Sequence, residues 1–163
     1  MVILCDTREQ KNEHILSAFE KVGLQYQKKA LKTGDYSFMI RACPELGFAY
    51  DTYFTDEIVI EKKNSLSELA GNLASASDDG ERIFKEFNRM INVERAYLVI
   101  ENDSIDGIFE HKYRSEFNPD SFIRTLITWQ VRNNMHIYFC KKENTARMIY
   151  ELCKNCLDAK ILK

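Results

Sequence analysis

The chain has 163 residues, 45% hydrophobic and 29% charged, enough for one globular domain that buries roughly 68–70% of its unfolded surface. Its 23 Lys and Arg nearly cancel 25 Asp and Glu, and a net charge of −2 excludes a protein that coats nucleic acid unaided. Any DNA or RNA site has to be a local concentration of cations. Six Gly and two Pro exclude a low-complexity chain. No apolar run approaches the ~18–20 residues of a membrane span, and no basic leader precedes the first apolar stretch. These features point to a soluble, cytoplasmic domain with no membrane partner.

Val2–Cys5 is a short apolar run stopped by Asp6 and reads as a buried strand. Ile15, Leu16, Phe19 and Val22 recur at helical spacing, with Gly23 placed as a helix terminator. Leu24 to Leu31 alternates loosely and leads into Thr33-Gly34-Asp35, a turn signal. Tyr36–Arg41 and Gly47–Phe54, around Ala42-Cys43-Pro44-Glu45, read as a hairpin. Ile58–Ile60 is strand-like, and Leu66–Leu73 and Ile83–Ile91 read as helices separated by polar Ser75–Gly80. Tyr97–Ile100 is another buried strand. Asn118-Pro119 opens a long helix as N-cap and first residue, with Phe122, Ile123, Leu126, Ile127 and Val131 as its apolar stripe and Trp129 beside it. His136–Cys140 and Thr145–Leu157 close the chain as strand and helix. The order predicts a mixed α/β sandwich around one sheet, a single domain over residues 1–163. Five cysteines fit free thiols; Cys153 and Cys156 form a C-x-x-C without the further ligands a structural zinc needs, and read as helix packing.

The most informative segment is Ile58-Val59-Ile60-Glu61-Lys62-Lys63. On a strand Glu61 and Lys63 share one face, about 6–7 Å apart along it. They are expected at the exposed end of a buried strand, where a carboxylate can hold a divalent cation and an ammonium can hold a water beside it. Asp35 is the natural second acid. The bland readings stay open: a surface salt bridge for Glu61 and Lys63, a self-stabilised turn for Gly34-Asp35, and a capping box for Asp6-Thr7-Arg8-Glu9. Lys28, Lys29 and Lys32 lead directly into Asp35 and are either a solvated face or phosphate contacts. Arg82, Lys85 and Arg89 recur at helical spacing as a solvated stripe or a ridge that tracks a nucleic-acid backbone. His14, His111 and His136 carry no assignment.

Taken in order, Asp6-Thr7-Arg8-Glu9, Gly34-Asp35-Tyr36 and Ile60-Glu61-Lys62-Lys63, followed by Leu66 and Leu69, resemble the nuclease domain of the XPF family. That family is a structure-specific branch of the PD-(D/E)xK, restriction-enzyme-like fold. Glu68-Leu69-Ala70-Gly71-Asn72-Leu73 and Arg82-Ile83-Phe84-Lys85-Glu86-Phe87 look more like its small stand-alone members from phages and prophages. The resemblance implies an α/β fold with a restriction-endonuclease-like central mixed sheet flanked by helices, without the helix-hairpin-helix domain of many relatives. It implies metal ligands at Asp35, Glu61 and the main-chain carbonyl of Lys62, a catalytic lysine at Lys63, and nearby acids Asp6 and Glu9. DNA contacts fall on Arg8, Lys32, Arg82, Lys85 and Arg89, with Arg89 competing with Arg82 for the family arginine.

The implied function is a Mg²⁺- or Mn²⁺-dependent DNA endonuclease acting on flaps, forks or junctions, in repair or recombination, with no small-molecule cofactor. Two departures stand out: the family's E-R-K reads Glu61-Lys62-Lys63, and its later acid is Ser67, with Glu68 one place on. The competing reading is a non-catalytic DNA-binding or assembly module, disfavoured because Asp35, Glu61 and Lys63 are all present; a nuclease acting on RNA or on linear ends is a third. A homodimer through Ala146, Ile149, Tyr150, Cys153 and Leu157 is possible, and the same face can pack on the chain's own sheet.

Overall fold

Seven strands form one mixed sheet in a computed structural model that describes residues 1–74, 85 and 87–161. The strands are β1 (Val2–Cys5), β2 (Tyr26–Lys28), β3 (Tyr36–Ile40), β4 (Thr52–Tyr53), β5 (Ile58–Lys63), β6 (Arg95–Glu101) and β7 (Met135–Cys140). The sheet order is β2-β1-β3-β5-β6-β7, with β4 paired to β3 off this path. β1 pairs antiparallel with β3, and β3 meets β5 antiparallel at Tyr36–Ile60, whereas β5, β6 and β7 run parallel. Parallel neighbours need crossovers, and helices supply them. This is the expected α/β class.

Helices α1 (Glu13–Lys21) and α5 (Thr145–Ile161) cover one face, packing Ile15, Phe19, Ile149 and Cys153 on Ile3, Phe38, Ile58 and Ile60. Helices α2 (Leu66–Ala74) and α4 (Pro119–Asn133) cover the other, packing Leu66, Leu69, Phe122 and Leu126 on Val59, Leu98 and Ile100. Short α3 (Asp106–Phe109) lies in the β6–α4 connection. The two cores reflect the period of two along each strand. Among the described residues, no helix is long and apolar enough to cross a membrane.

The sequence places most elements to within a few residues. Asn118 caps α4 as expected, its side-chain oxygen accepting from Ser121 N at 3.1 Å, with Pro119 at the first helical position. Gly23 lies just past α1 with φ +68°. The 3₁₀ turn Pro44–Leu46 and the Cys43–Phe48 bridge build the tip of the expected hairpin. The polar stretch Ser75–Gly80 and part of the expected 83–91 helix lie outside the described residues; residues 85 and 87–90 are helical.

Two expectations are corrected. The α4 stripe is Phe122, Leu126 and Trp129 at i, i+4 and i+7, with Trp129 3% exposed in the core, whereas Ile127 and Val131 are 50% and 78% exposed. Glu61 and Lys63 do not lie at an exposed strand end, because β5 is buried throughout. On α5, Ala146, Ile149 and Cys153 pack into the chain's own core. Leu126→Ala is therefore expected to cost about 2–5 kcal/mol in urea unfolding. Val131→Ala should stay within about 0.5 kcal/mol.

Candidate active site

β5 sets the site. Alternation sends Val59, Glu61 and Lys63 toward α2 and Ile58, Ile60 and Lys62 toward α1. Glu61 and Lys63 are 2% and 6% exposed, and Lys63 Nζ donates to Glu61 Oε1 at 2.6 Å. This is a buried pair, not a surface salt bridge. Burying two ions costs several kcal/mol each unless they are paired with good geometry, so each fixes the other in place.

Asp35 comes from the turn before β3. Its N–H donates to Ile60 O at 2.9 Å, and its Oδ2 accepts from the backbone N–H of Lys62 at 2.8 Å. The carboxylate therefore reaches across to β5. Gly34 makes this approach possible. Its φ is +70°, and a Cβ there would meet Val59 Cγ2 at 2.1 Å and Ile60 O at 3.2 Å.

Asp6 directly follows β1, and its N–H donates to Asp35 O at 2.7 Å. Its carboxylate, 1% exposed, accepts from Arg8 N and Arg8 Nε through Oδ1 (2.8 and 2.7 Å), and from Leu31 N and Arg8 Nη2 through Oδ2 (2.7 and 3.0 Å). The capping-box reading fails, because α1 begins after Asn12 and the Asp6 side chain serves Arg8 and Leu31 instead. Burial pushes the Asp6 carboxyl up, but the hydrogen bonds from Arg8 and Leu31 outweigh it and hold the group below its usual range. Arg8 also donates to Leu31 O at 2.9 Å.

A further acid of the site is Glu68, in the first turn of α2, to which the sequence gives only a weak signal. Its Oε2 accepts from Asn64 N at 3.0 Å and Asn64 Nδ2 at 2.7 Å. Burial raises its pKa, but the two Asn64 bonds and the nearby Lys63 and Lys11 charges outweigh that and hold the carboxyl below its ordinary range. Ser67, where the resembling family has an acid, instead accepts the backbone N–H of Arg114 at 3.2 Å through its hydroxyl. One polar cavity of about 170 Å³ is lined by Asp6, Arg8, Glu9, Gly34, Asp35, Glu61, Lys62, Lys63 and Glu68. Glu9 pairs with Lys62 Nζ at 3.4 Å.

Lys32, Lys85 and Arg89 do not line this cavity. Lys32 is exposed and pairs loosely with Asp56 at 3.7 Å; Lys29 sits 4.8 Å over the Tyr53 ring. Lys85 and Arg89 are exposed on their helix, and Arg82 lies outside the described residues. His14, unassigned from sequence, meets the buried Glu101 carboxylate, Nε2 to Oε1 at 2.7 Å. Cys153 and Cys156 are buried free thiols.

Among the described residues, no group of three or more His, Cys, Asp or Glu is gathered closely enough to hold a metal ion unaided. The chemistry of the donor set still suits a hard cation. Asp35 and Glu61 offer carboxylate oxygens in one cavity, and the Lys62 carbonyl is a main-chain oxygen on the same strand as Glu61. Mg²⁺ commonly binds through one or two carboxylates and keeps several waters.

A family model described as the ERCC4 domain matches residues 5–152. The chain belongs to this family. Its fold is that of the XPF nuclease: XPF from Aeropyrum pernix is 20% identical, with a TM-score of 0.63, over 94% of this chain and 60% of that one. XPF from Aeropyrum pernix in complex with DNA is 21% identical, with a TM-score of 0.64, over 98% of this chain and 65% of that one. The ERCC4 domain thus spans less than two thirds of the structures it matches. No curated protein matches it.

Two outcomes follow for this ERCC4 domain. Gly34→Ala should destabilise it by more than the ~1–2 kcal/mol of a left-handed L residue, because Val59 must also move; a urea midpoint equal to wild type would contradict this. The Asp6 carboxylate contributes fully above its ordinary value of 3.8, and that contribution is lost as pH falls through its lower folded value. In acid titrations followed by circular dichroism, Asp6→Asn should therefore lower stability at pH 7 and flatten its decline below about pH 4.

Proposed function

We propose that this domain is a divalent-metal-dependent DNA endonuclease selective for branched structures. The observation that carries the reading is the convergence of Asp35, Glu61, Lys63 and Glu68 on one polar cavity in an ERCC4 domain. The DNA bound to the similar XPF structure supports DNA as the partner. Asp35, Glu61 and the Lys62 carbonyl would hold Mg²⁺ or Mn²⁺. Bound there, the ion supplies Lewis-acid charge for a scissile phosphate and lowers the pKa of a coordinated water.

The chain's own side chains supply the rest. Lys63, anchored on Glu61, presents its ammonium where negative charge grows on the phosphate oxygens, and that fixed charge favours the transition state over the bound substrate. Glu68, whose Oε2 accepts from Asn64 Nδ2, would orient an attacking water. Because the net charge is −2, affinity depends on a local group of cations and should fall with salt in proportion to the phosphates they neutralise. Shape, more than base sequence, then selects the substrate. The five free thiols fit a reducing compartment such as the cytoplasm.

Cleavage of labelled flap, fork, four-way-junction and linear duplex DNA in Mg²⁺, Mn²⁺ and EDTA tests this reading. Branched substrates should be cut only with metal. Asp35→Asn should abolish cutting, and Lys63→Met should slow it by about 10²–10³-fold. Tight DNA binding without cleavage in any metal would replace the nuclease with a binding module.

A further inference from the structure

The side chain of Lys62 is fully buried, on the face of the sheet opposite Glu61 and Lys63, and takes no part in the chemistry proposed above. Its ammonium has three partners: Lys11 O at 3.2 Å, Asn64 Oδ1 at 2.8 Å and Glu9 Oε1 at 3.4 Å. An aliphatic residue would fill the same volume without burying a charge, so the lysine has to be explained by what it holds.

Each partner leads to the cavity. The Asn64 amide that accepts from Lys62 donates through Nδ2 to Glu68 Oε2, so the ammonium fixes which way the amide points and hence which edge meets Glu68. Glu9 and Lys11 belong to the loop between Asp6 and α1, and Asp6 N–H holds Asp35 O. The backbone N–H of Lys62 itself holds Asp35 Oδ2. One residue thus touches the supports of two cavity acids from behind the strand. α1 has a separate anchor in the His14–Glu101 pair and the buried Ile15 and Phe19. The Lys62 ammonium therefore bears directly on Glu9, Lys11 and Asn64, while α1 is held independently.

We propose that Lys62 is a positioning residue that orients Asp35 and Glu68, acting through the Glu9 loop and Asn64. The inference rests on the metal-holding role proposed for Asp35, and the experiment has an arm independent of that role. Lys62→Met, Lys62→Arg and the charge-matched pair Lys62→Met/Glu9→Gln are compared with wild type by Mn²⁺ titration calorimetry and by amide hydrogen exchange. The double variant leaves no buried charge orphaned if the single one folds poorly.

In the Met variants Mn²⁺ affinity should fall by about 10–100-fold, the usual effect of losing a residue that supports a ligand. Exchange should accelerate at the amides of residues 6, 31, 62 and 64 and stay slow at Leu98 and Ile100, with Lys62→Arg nearest to wild type. Wild-type affinity and exchange in the Met variants would overturn the proposal. So would uniformly faster exchange with a lower Tm in both, which marks a merely structural residue. If wild type binds no Mn²⁺, the nuclease reading fails, and the exchange pattern alone decides the positioning role.

Discussion

Where β3 meets β5, Asp35 gives its N–H to Ile60 O and receives the Lys62 N–H on its carboxylate, while its own carbonyl takes the Asp6 N–H. The ends of β1, β3 and β5 are thereby tied at one residue. The other members of the cavity are grouped around this knot: Glu61 and Lys63 on the strand that Asp35 grips, Arg8 and Glu9 in the loop after Asp6, Glu68 on the helix that follows. The knot needs a backbone approach that only glycine allows, which Gly34 provides at φ +70° against Val59 and Ile60.

A strand that ends Glu-Lys-Lys inside a protein creates an electrostatic problem, and its solution builds the site. Alternation throws the two lysines to opposite faces, so one carboxylate cannot serve both. Lys63 finds Glu61 beside it on its own strand, and Lys62 finds Glu9 from the loop before α1. Each pairing is required because an unmatched buried ion costs several kcal/mol. The result is a set of fixed charges around a cavity, arranged before any ligand arrives. Such preorganisation is what electrostatic catalysis requires.

How much of this is legible in the sequence depends on distance along the chain. The β1 and β5 strands, the α4 cap at Asn118-Pro119 and the shared face of Glu61 and Lys63 follow from local rules: apolar runs, turn residues and the period of two; Asp35 joins them only through the order of motifs that carries the family resemblance. Glu68 is not legible in the same way, since its place depends on how α2 leaves the strand and on Asn64 turning its amide inward. The Lys62–Glu9 pair and the His14–Glu101 contact join segments far apart in sequence, and no local spacing announces them. The α4 stripe shows a subtler limit. Ile127 and Val131 look as apolar as Trp129, and only the direction from which the sheet approaches selects Trp129 for the core. Burial of Glu61 and Lys63 was likewise hidden, because charge suggests exposure and only pairing reverses it.

The most direct test of the account is anomalous diffraction from crystals of the chain soaked in Mn²⁺. One strong peak is expected between the Asp35 and Glu61 carboxylates, within ligand distance of the Lys62 carbonyl oxygen, and it should be lost in Asp35→Asn. A fully occupied peak elsewhere, or none in this cavity at saturating Mn²⁺, would contradict it.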